Sequence, residues 1–237
     1  MGLIIFNGIS SVDIGAEIEI IPSYETPERD YDTYHIPGRN GDLYIDTGSF
    51  KNVSRSYYIS VAAYTKSFVE IANSISEWLH STSGYARLED SYEPEYYRLA
   101  TFKDGLDIAN LLNEAARTTI SFDCKPQRFL KSGDRPIKFT KTDTLRNPTK
   151  RTALPIITVK GSGSGVLRIG SYTVTINDIG NGLTINSDIQ DAYYGTLNRN
   201  SVIVLSNGFP KLKPGLNEVS FSGGITEIEV MPRWWTL

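Results

Sequence analysis

Ile120-Ser121-Phe122-Asp123-Cys124-Lys125-Pro126 is a regular alternation of apolar and polar side chains that ends in a proline. Such an alternation is typical of a β-strand with one face buried in a core. Proline lacks the N–H group that a ladder hydrogen bond needs, so we expect the strand to stop at Pro126. The stretch therefore predicts the last strand of a first domain, with Ile120, Phe122 and Cys124 facing its core.

Two segments upstream alternate in the same way. Ile18 and Ile20 alternate with Glu17 and Glu19, and a second period-two face runs through Tyr57, Ile59 and Val61. Both segments predict half-buried strands of a sheet in the first domain. The opposite face of the second segment also leans apolar, which favours a further contact there.

A helix is predicted between these strands. Apolar residues recur from Phe68 to Leu79 at the three-and-four spacing of one helical face. Ser67 and Glu70 form a capping box at its start, and Gly84 follows its end. The segment 106–116 stays open, because its apolar spacing suits a helix while its neighbours favour strands.

The composition changes after residue 130. Residues 131–146 are rich in charged residues, proline and glycine, which predicts a linker between domains 1–130 and 147–237. The second domain contains short apolar runs separated by turn residues, with no helical spacing, and such a pattern predicts an antiparallel β-sandwich. The runs cover residues 156–159, 166–169, 172–176, 183–185, 202–205, 219–221 and 228–230.

Charge and hydropathy argue against several classes of protein. The chain has 24 basic and 27 acidic side chains and no basic run that could follow a phosphate backbone, so we expect no nucleic acid partner. No apolar run approaches the roughly eighteen residues of a membrane-spanning helix. No secretory signal pattern is present, so we expect a soluble protein made in the cytoplasm.

No combination of residues predicts catalysis, a metal or a cofactor. The chain has two histidines, His35 and His80, and one cysteine, Cys124, which do not form a zinc pattern. Cys124 alternates with core residues and is expected to be buried. The glycine run at 161–165 is followed by a strand pattern, whereas a phosphate loop needs a helix there, so we interpret the run as a flexible hairpin.

Four carboxylates stand close together at Glu89, Asp90, Glu93 and Glu95. Such a group could supply the acid and base of a glycosidase. The segment also has the composition of a polar turn, in which water solvates acidic side chains at no cost. We favour the turn, and we expect the chain not to be an enzyme.

Two adjacent tryptophans, Trp234 and Trp235, lie near the end of the chain. Neighbouring residues on a strand face opposite ways, so we expect one in the core and the other in an interface. An exposed tryptophan could also stack on a sugar. This leaves open an alternative function, a monomeric carbohydrate-binding module that acts in host adhesion.

Short motifs in a fixed order resemble those of phage distal tail proteins over nearly the whole chain. The first domain carries Phe6-Asn7-Gly8, the turn Ile36-Pro37-Gly38-Arg39-Asn40-Gly41, Trp78-Leu79, Gly84-Tyr85, Tyr97-Arg98 and Phe122-Asp123-Cys124-Lys125-Pro126. The second domain adds Asn147-Pro148, the strand from Pro155 to Gly161 and Pro214-Gly215-Leu216-Asn217. The resemblance implies a split-barrel type of first domain with one main helix and a galectin-like sandwich.

The resemblance also implies a function and a set of partners. In that family the first domains form a hexameric ring at the distal end of a long, non-contractile tail, and the protein is a part of the virion. The ring joins the tail tube protein to the tip fibre protein or tail-associated lysin, and in some phages to receptor-binding proteins. Whether one ring or two would form is left open.

Residues that could lie in the interfaces of such a ring follow from these arguments. Arg39 and Asn40 occupy the turn at 36–41, where Arg39 offers a forked donor to a carboxylate of a neighbouring subunit. Tyr58 and Tyr64 lie on the second face of the strand that contains Tyr57. Trp234 and Trp235 complete the set of interface candidates.

Overall fold

The computed structural model describes residues 2–19, 22–62, 67–105, 109–111 and 115–237. These residues form antiparallel β-sheets and one α-helix, which confirms the mainly β fold class. The chain divides into two compact units, the first Met1–Arg128 together with Leu237 and the second Phe129–Thr236. No helix in the described ranges combines the length and the apolar character that crossing a membrane requires.

The first unit contains ten strands and one α-helix in its described residues. They are β1 (Ile4–Phe6), β2 (Ile9–Ser10), β3 (Ala16–Ile18), β4 (Arg29–Tyr34), β5 (Leu43–Phe50), β6 (Val53–Ala62), α1 (Phe68–Leu79), β7 (Ala86–Asp90), β8 (Tyr96–Thr101), β9 (Ala109–Leu111) and β10 (Ala115–Leu130). A 3₁₀ turn at Ser11–Ile14 joins β2 to β3. Strand β10 continues into the second unit at Phe129.

Most of these strands belong to one curled sheet with the order β2-β1-β7-β8-β10-β6-β3, in which β9 also pairs with β10. An additional bridge joins Gly2 to Ile18, whose N–H donates to the Gly2 carbonyl at 3.0 Å. Gly2 lies just before β1 and Ile18 lies in β3, so the bridge connects the two sides of the sheet. The sheet therefore closes around its own core.

The alternation in β10 faces that core as predicted. In the ladder with β6, Ile120 lies opposite Tyr57 and Phe122 lies opposite Arg55. Residues directly opposite each other share one face of a sheet. Ile120, Phe122 and Cys124 are completely buried.

Aromatic rings fill the centre of this unit. The Phe122 ring lies 4.8 Å from that of Phe6 and 6.1 Å from those of Tyr57 and Phe102, measured between centroids. Trp78, from the helix, meets Phe6 edge to face, and its indole N–H donates to the Phe6 carbonyl at 3.2 Å. The helix is thus attached to the sheet by both apolar packing and a hydrogen bond.

The predicted helix is confirmed, and its capping box is present. The Ser67 hydroxyl accepts from the Glu70 N–H, and the Glu70 carboxylate accepts from the Ser67 N–H at 2.7 Å. The apolar face of α1 is buried through Ile71, Ile75 and Leu79. In the segment 106–116, the described residues 109–111 and 115–116 are paired strands and not a helix.

The prediction that the closing strand stops at Pro126 is wrong, because β10 continues to Leu130. Its ladder with β6 ends earlier, at the pair Cys124 and Val53. Pro126 lies beyond that pair, so its missing N–H costs no hydrogen bond to β6.

The second unit is an antiparallel sandwich. Its strands are β11 (Ile137–Phe139), β12 (Asp143–Asn147), β13 (Ile156–Ile169), β14 (Tyr172–Ile176), β15 (Leu183–Asn186), β16 (Asp191–Tyr194), β17 (Leu197–Asn198), β18 (Ile203–Ser206), β19 (Gly215–Met231) and β20 (Trp235–Thr236). Short 3₁₀ turns occur at Lys131–Asp134 and Asn200–Val202. The segment 131–146, predicted as a linker, therefore carries β11 and most of β12, which both pair with β19.

Strands β13 and β19 run side by side through both layers of the sandwich. Residues 156–160 of β13 pair with 227–231 of β19 and extend one layer through β15. Residues 165–169 pair with 219–223 and extend the other layer through β14 and β18. Register shifts between Lys160 and Gly165 mark the bend between the layers.

The glycine run at this bend is not the predicted flexible hairpin, because it lies inside the continuous strand β13. A Cβ atom on Gly161 would overlap the Gly224 carbonyl, and one on Gly224 would overlap the Ser162 carbonyl. Glycine is needed here for close backbone approach and not for flexibility. In the predicted run 202–205, Val204 is exposed on the outer strand β18, whereas Val174 of the neighbouring strand β14 is buried.

Phe122→Ala should destabilise the first unit by about 3–5 kcal/mol, because it removes a ring that touches three other buried rings. Urea unfolding followed by tryptophan fluorescence would measure the loss. Thr119→Ala, on the exposed face of the same strand, should cost less than about 0.5 kcal/mol. Equal losses in the two variants would contradict the register of β10.

Gly224→Ala should prevent the second unit from folding stably, since the added methyl group overlaps backbone atoms that cannot move independently. Gly163→Ala is the matched control, because its Cβ would point into open space and its positive φ costs only about 1–2 kcal/mol. Thermal unfolding monitored by circular dichroism would compare them. A Gly224→Ala variant as stable as Gly163→Ala would rule out the tight bend.

Candidate functional site

Strands β4 and β5 form a two-stranded hairpin, which we call the arm (residues 29–50), and they pair only with each other in the described part of the chain. Both faces of the arm are open to solvent. Five of its large apolar and aromatic side chains are 39% to 62% exposed, and they are Tyr31, Tyr34, Ile36, Tyr44 and Ile45. A ribbon of two strands buries little by itself. The arm therefore presents a substantial apolar surface with no cover from its own unit.

Contacts within the arm hold its two strands in register. The Arg29 guanidinium donates to Asp46 at 2.7 Å and lies 5.0 Å above the Phe50 ring. The rings of Tyr31 and Tyr44 meet edge to face with centroids 5.9 Å apart. An exposed ion pair of this kind contributes at most about 1 kcal/mol. These contacts stabilise the shape of the arm but leave its outer surface free.

The arm and its flanks are acidic. Residues 25–51 contain two glutamates and four aspartates against Arg29, Arg39 and Lys51. The excess of three negative charges equals the formal net charge of the whole chain, −3. A surface that covers the arm would have to match it with apolar area and with basic groups.

The predicted interface residues of the first unit lie in different places. Arg39 and Asn40 are exposed in the turn at the tip of the arm, where the Arg39 N–H donates to the Ile36 carbonyl at 3.1 Å. Tyr58 is exposed on the outer face of β6. Tyr64 lies outside the described residues. Their role in an interface stays a prediction.

The two tryptophans of the second unit differ in burial. Trp234 is only 4% exposed and belongs to the sandwich core. Trp235 is half-buried, its indole N–H donates to the Thr152 carbonyl at 2.9 Å, and the Arg151 guanidinium lies 5.8 Å from its ring. The Trp234 ring is therefore not open to a ligand, and the interface role of Trp235 stays a prediction.

The candidate catalytic residues are dispersed. Cys124 is buried, and burial raises the pKa of its thiol to about 12, so it is not a ready nucleophile. His35 lies on the arm, 3.2 Å from Asp42, while His80 packs its ring against Phe102. Within the described ranges, no group of three or more potential metal ligands comes together. The absence of catalysis stays a prediction.

The acidic segment is not the solvated turn that its sequence predicts. Asp90 is buried, and Arg55 donates to one of its carboxylate oxygens at 3.1 Å. The Tyr57 hydroxyl donates to that oxygen at 2.7 Å, and the backbone N–H groups of Tyr92 and Glu93 donate to the other at 2.9 Å each. Protein donors therefore replace water around this carboxylate.

Glu93 joins Asp90 in a cluster with three arginines. Its carboxylate accepts from Arg98 at 3.2 Å and from Arg128 at 2.5 Å, and it lies 3.6 Å from Arg55. We call Arg55, Arg98, Arg128, Asp90 and Glu93 the arginine cluster. The other two carboxylates differ, since Glu89 pairs with Arg87 and Glu95 is exposed.

One sequence signal could have revealed the arginine cluster. Arg55 precedes Tyr57, Ile59 and Val61 at the same period of two, so it belongs to the buried face of β6. A charge on a buried face requires a partner of opposite charge. The partner, Asp90, is distant in sequence, and only the sheet brings the two together.

Asp90 is unsuited to act as a glycosidase acid. Burial acts to raise the pKa of Asp90, but the Tyr57 hydrogen bond and the Arg55 charge outweigh it and hold that pKa below its ordinary value. A general acid needs a raised pKa. The contacts of Asp90 instead point to an ionised side chain that orients Arg55.

Comparison with known proteins supports the fold. No model of a protein family matches the sequence, and no curated protein matches it. The crystal structure of SPP1 Dit matches with a TM-score of 0.75 over 100% of both chains, at 12% sequence identity. This chain has the SPP1 Dit fold. SPP1 Dit is presented as a paradigm of the hub adsorption apparatus in phages that infect Gram-positive bacteria. The resemblance to phage distal tail proteins is thus confirmed at the level of the fold.

Asp90→Asn should destabilise the first unit by about 3 kcal/mol, because it leaves the Arg55 guanidinium buried without a full counter-charge. Asp46→Asn is the matched control, since it breaks the exposed pair with Arg29 and should cost less than about 1 kcal/mol. Urea unfolding of the three proteins at neutral pH would measure both differences.

The difference in unfolding free energy between wild type and Asp90→Asn should depend on pH, and the direction of the change follows from the pKa of Asp90. The pKa of Asp90 is lower in the folded protein than in the unfolded chain. Its contribution is therefore complete above the unfolded pKa, about 3.9, and is lost as the pH falls through the folded pKa. The stability gap between wild type and Asp90→Asn should shrink in that acidic window. A gap that stays constant down to about pH 2 would show that the carboxylate charge is not its source.

Proposed function

We propose that this chain is a structural component of the distal end of a long, non-contractile phage tail, where several copies form a closed ring. The support is the SPP1 Dit fold over the full length of both chains, together with the arm. Under this proposal the protein belongs to the virion and acts by binding other proteins rather than by catalysis.

The arm is the observation that carries the proposal. Its two open faces expose Tyr31, Tyr44 and Ile45 together, and a patch of this kind marks an interaction surface. Among the described residues, its outer strand edges pair with no other strand, and such edges are suited to pairing with another chain. If the arm of one copy binds the body of the next, the contact is head to tail, and repetition by rotation closes a ring. The number six comes from the family resemblance alone.

A ring at the end of a tail needs partners on two sides. We infer the tail tube protein on one side and the tip fibre protein or tail-associated lysin on the other, with receptor-binding proteins in some phages. The galectin-like sandwich would project from the ring. These partners follow from the resemblance to distal tail proteins, and one ring or two can be accommodated.

The alternative function, a monomeric carbohydrate-binding module, was suggested by a tryptophan that could stack on a sugar. Trp234 is in the core, and Trp235 uses its indole N–H within its own unit. Trp234 is not available as a stacking platform for a sugar, and Trp235 offers only a half-buried ring that is tied to its own unit.

Light scattering on the full chain should report a mass six or twelve times the 26.4 kDa of one subunit, and negative-stain images should show rings with a central hole. Tyr44→Ser with Ile45→Ser should raise the concentration for half-assembly roughly tenfold or more, since about 1.4 kcal/mol of lost burial per contact suffices. The matched control replaces Leu197 and Val204, which are equally exposed on the second unit, and should leave assembly unchanged.

Two results would contradict this function. A monomeric mass at tens of micromolar would argue against a ring, and saturable micromolar binding of a wall polysaccharide by that monomer would favour the adhesion module. Loss of assembly in the Leu197 and Val204 control would show that the arm is not the specific contact.

A further inference from the structure

The arginine cluster contacts the segment that leads into the arm. Residues 22–28 lead directly into β4. In this segment Pro22 is buried, while Ser23 and Tyr24 are exposed. The Arg55 Nη1 group donates to the Ser23 carbonyl at 2.6 Å. The Arg128 guanidinium lies 4.9 Å from the centroid of the Tyr24 ring. Two members of the cluster thus hold two consecutive residues just before the arm.

The other end of the arm is fixed by the sheet. Strand β5 ends at Phe50, and β6 begins at Val53, so only two residues separate the arm from a strand in the middle of the sheet. The base is closed by a hydrogen bond from the Lys51 N–H to the Glu28 carbonyl at 2.9 Å. The direction of the arm therefore depends on how the two segments at its base, residues 22–28 and 51–52, are held. In the second segment the Asn52 side-chain amide donates to the Tyr85 hydroxyl at 2.7 Å.

Arg55 is itself held in one orientation. It is 4% exposed, its Nη2 group donates to Asp90 at 3.1 Å, and its Nε group donates to the Tyr57 hydroxyl at 3.3 Å. The guanidinium is planar, so fixing two of its nitrogens fixes the third. That third nitrogen, Nη1, is the one that donates to Ser23.

Arg128 is oriented in a comparable way. Its Nη1 group pairs with Glu93 at 2.5 Å, and its Nη2 group donates to the Leu237 carbonyl at 2.7 Å. Its Cζ atom lies 5.0 Å from the centroid of the Tyr96 ring. Tyr24 approaches an arginine that three groups already surround. A cation–π contact of this kind needs no movement of the core.

We propose that Arg55 and Arg128 are positioning residues of the arm, which fix the path of residues 22–28 and thereby the direction in which the arm leaves the first unit. The consequence for assembly rests on the proposed ring function. An arm that already points toward its binding surface loses less conformational freedom when it binds, so assembly begins at lower concentration.

The test uses the full chain and a distance measurement in the monomer. Spin labels at Asn40→Cys, on the tip, and Thr119→Cys, on the outer face of β10, report the direction of the arm, while the buried Cys124 stays unlabelled. Tyr24→Ala removes only a ring that is 58% exposed, so the core should remain intact. The distribution of label distances should broaden at least twofold in Tyr24→Ala, and the concentration for half-assembly of the unlabelled variant should rise at least tenfold.

Two further variants separate positioning from a general loss of stability. Tyr24→Phe keeps the ring over Arg128 and should restore both the narrow distribution and assembly. Tyr194→Ala is the matched control, because Tyr194 is also an exposed tyrosine, at 44%, but belongs to the second unit. It should change neither measurement.

The outcomes distinguish this inference from the proposed function. An unchanged distance distribution in Tyr24→Ala would overturn the positioning role, and so would a broadened distribution with unchanged assembly. If the wild type stays monomeric at every concentration, the ring function fails, and the distance distribution alone then decides whether the cluster directs the arm.

Discussion

The first unit depends on how it accommodates one buried charge, the guanidinium of Arg55. Arg55 occupies the inner face of β6, where water cannot solvate it, so the fold must supply acceptors for its donors. Asp90, the Tyr57 hydroxyl and the Ser23 carbonyl do so. These acceptors come from β7, from β6 itself and from the segment before the arm. One desolvated group thereby forces three parts of the chain into a single arrangement.

The arm, in contrast, exposes apolar side chains to water. Its exposed tyrosines and isoleucines lie on a two-stranded ribbon that has no core of its own. A group of exposed apolar side chains of this kind is typical of a surface that binds another protein. The body of the unit is closed by the bridge between Gly2 and Ile18, so few of its edges are available for pairing. A closed body with an open arm concentrates the capacity for association in one element.

Local signals were sufficient to predict several elements. The alternation around Phe122 predicted a half-buried strand, and the capping box of Ser67 and Glu70 predicted the start of the helix, because both depend only on neighbours in sequence. Features that depend on distant partners were mispredicted. The Gly161 run was assigned to a hairpin because Gly224, which crowds it, is far away in sequence, and Asp90 was assigned to a solvated turn because Arg55 lies on another strand. The arm was predicted only as a turn at 36–41, since nothing in its sequence indicates that both faces stay uncovered.

The bend shared by β13 and β19 has a consequence for how the second unit can come apart. Each of these strands contributes hydrogen bonds to both layers of the sandwich, so neither layer has a complete set of strands without the other. A tensile load applied to one layer is therefore carried by the backbones of β13 and β19 into the second. Along these two strands, we expect the layers to yield together rather than to slide past each other.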